Sequence, residues 1–431
     1  MMKKNVFIMA LDDYNLGELR TIRDAEKYNF HSLLDYKEIV EAEHYPVKEL
    51  LEKAETQLKS FDGSIDAIIG YWDFPVTTLV PILCERFGLP GPSPQSVVKC
   101  THKYWSRLEQ EKCIPECTPQ FNRVDPFDEH ALEKITIDYP FWIKPVQTFG
   151  SQLGFKINNA DEFREHIQTI REGIHEFGDP YDQLLEYVDM PPEVTGVGGN
   201  YCLAEQLISG REVAPEGYSF RDETHIHGII DMIREKESFL RLEYPSRLPE
   251  EVQKRASDAV LTFIRHIGFN NGCFNVEFFW NEELDKLWII EINARISQSH
   301  SNMFEKVDGT SNHEVAVDVA LGQEPRFKHG QGEFKRAAKC WIRRTEDAIV
   351  TRVPGEQDIQ RLQKEMPGLR IYPDVEKGMR LSDMLHQDSY SYAYAITFIG
   401  AQDQRELEEK YEKCTRSLGF EFEDVEDESA T

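Results

Sequence analysis

The sequence predicts a mixed α/β and α+β protein, and three features of the chain carry that prediction. Near the N-terminus, short apolar runs alternate with segments of helical period, the pattern of a small layered domain with a parallel sheet. Further on, Val276-Glu277-Phe278-Phe279 and Ile289-Ile290-Glu291-Ile292-Asn293-Ala294-Arg295 flank the polar turn Trp280 to Lys286 and read as a β-hairpin. From about Phe334 onward, strand-like runs such as Ala337 to Ile342 and Tyr392 to Phe398 precede a last helix from about Gln402 to Leu418. A chain of 431 residues carries a soft prior of about three domains and has ample length for a packed core.

Composition narrows the class. Hydrophobic residues make up 40% and charged residues 29%, as in a soluble globular protein. With 49 basic against 77 acidic side chains the formal charge is -28, so nonspecific nucleic-acid binding is disfavoured over most of the surface. A smaller polyanion such as ATP still fits, provided lysines, arginines and a metal reverse the field in one cleft. The cysteines, at 84, 100, 113, 117, 202, 273, 340 and 414, form neither CxxC pairs nor a ladder, which reads as reduced thiols in a cytoplasmic protein. The apolar run Asn5 to Leu11 is too short for a signal peptide and is cut off by Asp12-Asp13, and no stretch approaches the length of a membrane span.

Taken in order, residues 5 to 11 form a buried strand, and the segment from Gly17 to about Tyr28 has helical composition. Ala67-Ile68-Ile69-Gly70 is a second strand, followed by a helix over Pro75 to Phe87 on Leu79, Ile82, Leu83 and Phe87; Gly88 to Pro94 then breaks regular structure. Ser96 to Cys113 reads as one helix whose Lys99, Lys103 and Arg107 align three cations, taken alone a solvated basic face. Tyr139 to Pro145 is a strand bearing Lys144 that runs through the small-residue loop Val146 to Gly154 into Phe155-Lys156-Ile157. Those parts build a backbone N–H cradle for phosphates, or an ordinary hairpin turn, and they lack the GxxxxGK[ST] of a P-loop.

Asp161 to Ile174 follows as an amphipathic helix with Asp161 as N-cap, and Pro191-Pro192 with Gly196 to Asn200 marks a loop. Tyr201 to Ile208 is a strand leading to Ser209-Gly210-Arg211-Glu212, either a plain edge or a hinge offering backbone groups to an adenine and Glu212 to ribose hydroxyls. Pro249 to Ile267 is a helix on Val252, Ala256, Ala259, Val260, Phe263, Ile264 and Ile267, with Gly268 as its stop.

That helix delivers the chain to the hairpin. If its strands pair, Glu277 and Glu291 lie together, and Asn293 shares the face of Glu291. Carboxylates gathered in an apolar sheet repel each other and lose hydration, so Mg²⁺ carrying substrate phosphates, or Mn²⁺ in its place, is their natural partner; two exposed acids on a plain hairpin is the other reading. The polar run Ile296 to Asn302 is a pocket wall or a surface loop, His313 to Leu321 a further helix, and the acidic tail Glu421 to Thr431 is expected to fray.

The order of Lys103, the Lys144 strand, the small-residue loop, the hinge Glu205 to Ile208, and Glu277 with Glu291-Ile292-Asn293-Ala294-Arg295 resembles the ATP-grasp superfamily, over about residues 5 to 420 and most strongly over 139 to 300. The resemblance implies an N-terminal Rossmann-like pre-ATP-grasp domain over 1–95 and a two-lobed ATP-grasp domain over 96–325, with a mobile lid lobe at about 138–212. It adds a C-terminal α+β domain over 326–431 that completes the substrate pocket and ends in the tail at about 421–431. Carried onto this chain, Lys103, Lys144, Gly150, Ser151 and Gly154 would meet the phosphates of ATP, Glu205, Gln206 and Ile208 the adenine, and Glu212 the ribose. Glu277, Glu291 and Asn293 would bind Mg²⁺, and Arg295, Ser297, Ser299 and His300 the substrate, with Lys144, Arg295 and His300 in catalytic roles and His300 taking an amine proton.

Within the superfamily the chain is similar to carboxylate–amine ligases that make dipeptides and, in domain layout, to biotin carboxylase. Biotin carboxylases follow the Glu-x-Asn-x-Arg strand with Ile-Gln-Val-Glu-His-Pro, whose glutamate deprotonates bicarbonate; here Ser299 stands in that place, and Cys340-Trp341 replaces their cysteine-arginine pair. Glu216 to Phe220 resembles the dipeptide-ligase type. The resemblance therefore implies ATP-dependent joining of a small carboxylate to an amine through an acyl phosphate, with a bicarbonate-phosphorylating carboxylase or a non-catalytic ATP-binding regulator as alternatives. It also implies small-molecule substrates, no nucleic acid or membrane, and a homodimer through the first and last domains.

Overall fold

The computed structural model describes residues 2–42, 44–148, 152–235, 238–384 and 391–425. The chain divides into two compact units, one of Met1–His227, Pro249–Gln298 and Asn312–Arg326, the other of Gly228–Leu248, Ser299–Ser311 and Phe327–Thr431. The α/β and α+β class expected from the sequence is the class observed.

The first unit opens with β1 (Lys4–Met9), β2 (Tyr28–Leu33) and β3 (Ala67–Gly70), a parallel sheet in the order β2-β1-β3. Helices α1 (Asp13–Leu19), α2 (Tyr36–Ile39), α3 (Val47–Ser60) and α4 (Val76–Phe87) connect and cover it, and Leu50, Leu51, Leu79 and Leu83 share a core with Phe7 and Met9. The helix expected from Gly17 to Tyr28 is displaced. Asp12 accepts from the Asn15 N–H and starts α1 at Asp13, while Tyr28 already pairs with Lys4. The partner strand, which no local pattern reveals, overrides the helical composition.

Two helices, α5 (Pro94–Thr101) and α6 (Lys103–Cys113), replace the single one expected over 96–113. The break is His102, whose ψ of 93° is extended and whose ring Nδ1 accepts from the Trp105 N–H at 3.1 Å, capping α6. Its Nε2 donates to the Val197 carbonyl at 2.8 Å, so the ring is a neutral tautomer with both nitrogens committed. Burial holds its pKa down at about 4.

A second sheet, in the order β4-β7-β5-β6, contains β4 (Phe121–Val124), β5 (Phe141–Pro145), β6 (Phe155–Ile157) and β7 (Cys202–Gln206). The helix α7 (Ala160–Gly173), which buries Phe163, Ile167 and Ile170 in the core of this sheet, is followed by α8 (His175–Leu185). The N-cap of α7 is Asn159 rather than Asp161: its side chain accepts from the N–H groups of both Asp161 and Glu162.

The chain continues through β8 (Arg211–Phe220) and β9 (Glu223–Glu235), which runs on into the second unit to join β10 (Ser238–Tyr244). The helix α9 (Glu250–His266) buries the apolar stripe read from the sequence. It leads to β11 (Gly272–Asn281) and β12 (Lys286–Asn293), which with β8 form an antiparallel set in the order β12-β11-β8. After α10 (Ser301–Asp308) in the second unit, the chain returns as α11 (Asn312–Ala320), packed on β3 and β11.

In the second unit β13 (Arg336–Arg344) pairs with β10, and is followed by β14 (Ala348–Arg352), α12 (Glu356–Glu365), β15 (Arg370–Pro373), β16 (Tyr392–Ala401) and α13 (Gln404–Ser417). Ala338, Cys340, Ile342, Ile399, Leu407 and Cys414 form its core. The start of the acidic tail does not fray: β17 (Glu421–Asp424) pairs with β14 while the Phe422 ring lies 4.9 Å from that of Tyr394. Residues 426–431 lie outside the described residues. Among the described residues no helix is long and apolar enough to cross a membrane, and all eight cysteines are free thiols.

Candidate active site

The hairpin builds a polar face on the first unit. In the β11/β12 register Glu277 stands opposite Glu291 and Asn275 opposite Asn293, so alternation places all four side chains on one face. The Asn293 amide nitrogen donates to Glu277 Oε1 at 3.2 Å and to Asn275 Oδ1 at 3.1 Å, which leaves its amide oxygen for another partner. Beyond Glu277 the register shifts and Ile290 becomes an extra residue, a bulge absent from the simple hairpin expected. The carbonyl of Ile290 accepts from Arg107 Nη2 at 2.8 Å.

Four cations meet this face or its surroundings. Lys103 and Arg107 are 9% and 3% exposed, so they do not form the solvated stripe that their spacing suggests in isolation. Lys103 Nζ donates to the Thr148 carbonyl at 2.8 Å and lies 3.5 Å from Glu291 Oε1. Burial lowers its pKa, and Lys144 adds to the lowering while Glu291 opposes it. Lys99, on α5, instead lies over the Trp105 ring.

On the neighbouring sheet Trp142 pairs with Glu205 and Lys144 with Leu203, which puts Lys144 and Glu205 diagonally on one face. Glu205, 5% exposed, accepts from Lys144 Nζ at 2.7 Å and from Arg107 Nε at 2.5 Å. Burial would raise this carboxyl, but the two cations outweigh it and hold its pKa at about 2. The Glu205 side chain is thus the counter-ion of the cation cluster, and β7 ends at Gln206.

Arg295 is forked onto a residue that sequence reasoning missed. Its Nε and Nη2 donate to the two carboxylate oxygens of Asp73 at 2.7 and 2.8 Å, and its Nη1 donates to the Ile296 carbonyl at 3.1 Å. Although burial opposes its charge, Asp73, Glu277 and Glu291 favour it and raise its pKa. Asp73 sits in the turn between β3 and α4, where its carbonyl accepts from the Thr77 N–H, and Trp72 anchors the turn by donating from its indole to the Ala10 carbonyl at 3.1 Å. No motif marks Asp73, because its partner is 222 residues away.

The remaining expected residues fall as follows. Glu212 is buried on β8 opposite Phe279, and Gln206 closes β7 with its N–H on the Gln120 carbonyl. The Ser297 carbonyl accepts from the Asn312 amide at 2.7 Å. Ile208 and Gly154 lie in described loops, whereas Gly150 and Ser151 lie outside the described residues. Ser299 and His300 belong to the second unit: the Ser299 hydroxyl accepts from Lys339 Nζ at 2.8 Å, and buried His300 sets its ring edge-on to Phe304. The run after Arg295 is therefore no surface loop, since it turns through Gln298–His300 into α10.

Among the described residues no group of three or more His, Cys, Asp or Glu side chains is arranged to hold a metal. Two carboxylates and a free amide oxygen still suit Mg²⁺, which keeps several ligands from water and substrate phosphates rather than demanding a protein cage.

Residues 137–302 match the model of an ATP-grasp domain. The uncharacterized protein y4rH of Sinorhizobium fredii (strain NBRC 101917 / NGR234) is 26% identical over 217 residues, which are 50% of this chain and 40% of that protein. A D-alanine–D-alanine ligase of Chlorobium luteolum (strain DSM 273 / BCRC 81028 / 2530) is 28% identical over 174 residues, 40% of this chain and 43% of the ligase. The matched stretch thus spans less than half the length of either curated relative. In fold, an L-amino acid ligase from Bacillus licheniformis is similar with a TM-score of 0.73 at 16% identity, over 99% of this chain and 100% of that one. The chain therefore resembles the ATP-grasp superfamily, with residues 137–302 carrying the match to its domain and the fold of the whole chain similar to that of an L-amino acid ligase.

Proposed function

We propose that this chain is an ATP-dependent carboxylate–amine ligase, which activates a carboxylate as an acyl phosphate with release of ADP and joins it to an amine with release of phosphate. The observation that carries the reading is the single face shared by Glu277, Glu291 and Asn293, with Lys103 Nζ 3.5 Å from Glu291. Held by those three residues, Mg²⁺ would supply charge neutralisation at the outer phosphates. Lys103 and Lys144 offer ammonium groups to the same phosphates, and Glu205 fixes the direction of Lys144. Arg295 orients the carboxylate, so the chain's part is chiefly positioning and electrostatics. Gly150, Ser151 and Gly154 stay in the reading as ATP-binding residues, and a lid lobe at about 138–212 of an ATP-grasp domain over 96–325 keeps water from the acyl phosphate.

One further point favours a ligase over a bicarbonate-phosphorylating carboxylase. Ser299 carries no carboxylate, and its hydroxyl is engaged by Lys339. Relatives and similar folds of both kinds match the chain, so the choice rests on Ser299.

The test is ADP and phosphate release with Mg²⁺ and ATP in a screen of amino acids, small carboxylates and amines, singly and in pairs. Release that needs a pair is expected; stimulation by bicarbonate alone would sink the ligase reading. Glu291→Gln should lower turnover by about a hundredfold or more with its circular dichroism unchanged, and undiminished activity would misplace the metal.

A further inference from the structure

We infer that Asp73 and Arg295 form one charge-paired subsite for an α-amino acid, with Asp73 accepting the α-ammonium group while Arg295 holds the carboxylate. The inference rests on the ligase reading for its chemistry and deepens it, since that reading leaves simple carboxylic acids and amino acids equally eligible.

The donor count sets it up. An arginine carries five N–H groups, and three are spent here: Nε–H and one Nη2–H on Asp73, and one Nη1–H on the Ile296 carbonyl. One N–H remains on each of Nη1 and Nη2, two donors left over for a carboxylate. The Asp73 carboxylate, for its part, uses one lone-pair direction on each oxygen, and each oxygen keeps one more. The two sides differ in access, with the Asp73 side chain 42% exposed and that of Arg295 17%. A ligand meeting this pair from solvent therefore finds two free acceptors beside two free donors, a pattern complementary to a zwitterion whose ammonium and carboxylate are joined through one carbon.

A simple carboxylate satisfies only half of the pattern. It would approach Arg295 beside the Asp73 carboxylate, a like charge within hydrogen-bonding distance of the same guanidinium, with no ammonium to offset the repulsion. Asp73 thereby becomes a specificity element, selecting acids that bring their own cation. The turn that carries it is anchored by the indole of Trp72 and by the Thr77 hydroxyl, which donates to the Trp72 carbonyl at 2.7 Å. Its position is therefore built rather than incidental.

The experiment uses the full chain with Mg²⁺, ATP and hydroxylamine as acyl acceptor, reading hydroxamate from each of the common L-amino acids and from its des-amino counterpart, such as propionate for alanine. Melting temperatures with the same amino acids, without ATP, supply a binding readout independent of turnover. Wild type should give kcat/KM for the best amino acid about tenfold or more above its des-amino counterpart. Asp73→Asn should raise KM for the amino acid about tenfold or more, so that its kcat/KM no longer exceeds that of the des-amino acid, and abolish the amino-acid-induced rise in melting temperature. If wild type uses des-amino acids equally well, or Asp73→Asn weakens both classes alike, Asp73 merely positions Arg295 and the inference falls while the ligase reading stands. If no acid yields hydroxamate but amino acids still raise the melting temperature through Asp73, the ligase reading falls and the subsite stands. Absence of both signals overturns both.

Discussion

Exchanging Glu205 for glutamine separates the electrostatics of the site from its packing, because the amide has nearly the same shape and no charge. The native carboxylate sits between Arg107 Nε and Lys144 Nζ with 5% of the residue exposed, and despite its burial the two cations hold its pKa at about 2 against an ordinary 4.5. Between those values the unfolded chain binds the proton and the folded chain does not. The contribution to stability is therefore fully present above about pH 4.5 and is lost as pH falls through about 2. At 1.36 kcal/mol per unit the depression corresponds to about 3 kcal/mol, similar to the cost of leaving buried cations without their partner. Glu205→Gln should thus be about 3 kcal/mol less stable near neutral pH, in urea unfolding followed by tryptophan fluorescence. The gap to wild type should narrow steadily from about pH 5 downward, as wild type loses a charge the variant never had. Measuring both proteins side by side cancels the other carboxylates. A gap that stays constant with pH, or a variant as stable as wild type at neutral pH, would refute the account.

Three further outcomes are expected. A Cβ at Gly217 would stand 2.0 Å from the His225 carbonyl oxygen, so Gly217→Ala should cost about 3 kcal/mol and lower the melting temperature measurably. Seven of the eight thiols are buried, and burial with Glu109 and Glu116 pushes the pKa of the half-exposed Cys113 up to about 11. A disulfide reagent should therefore label the native protein slowly, Cys113 first, and rapid loss of several thiols would contradict the packing. A fluorescent ATP analogue should bind about tenfold or more tightly with Mg²⁺ than with a chelator, and equal affinities would argue against Glu277, Glu291 and Asn293 as metal ligands.

What the sequence made legible was whatever repeats with a local period. The stripe of α9 and the strands around Glu277 and Glu291 show alternation or helical spacing within a few residues; the stripe is as read, and the strands pair as read apart from the bulge at Ile290. His102 hid its break because a histidine cap leaves no signature comparable to serine or aspartate, and it works here only through a carbonyl 95 residues away. Arg107 and Lys103 looked like surface cations for the same reason: what buries them is Glu205, the Ile290 carbonyl and Glu291, all supplied by distant strands. Asp73 had no signal at all. A lone aspartate after a short strand is common turn chemistry, and only the folded chain sets it against Arg295.

The same long-range pairings explain how a chain of net charge -28 can hold a polyanion. The cations brought together, Lys103, Arg107, Lys144 and Arg295, are not a surplus of positive charge. Glu205 neutralises Arg107 and Lys144 between them, Asp73 takes Arg295, and Glu291 with Glu277 faces Lys103 and Asn293. Four cations are thus matched by four carboxylates, and the surrounding acidic surface adds a field of the wrong sign for a nucleotide. In the proposed reading such a site would orient phosphates through fixed donors but would not by itself reverse their charge. The two carboxylates that face each other across the hairpin, Glu277 and Glu291, are also the ones whose repulsion a divalent cation would relieve. The physical burden of the hairpin and its proposed chemistry are therefore the same fact, and they favour entry of the nucleotide as its metal complex rather than as the free anion.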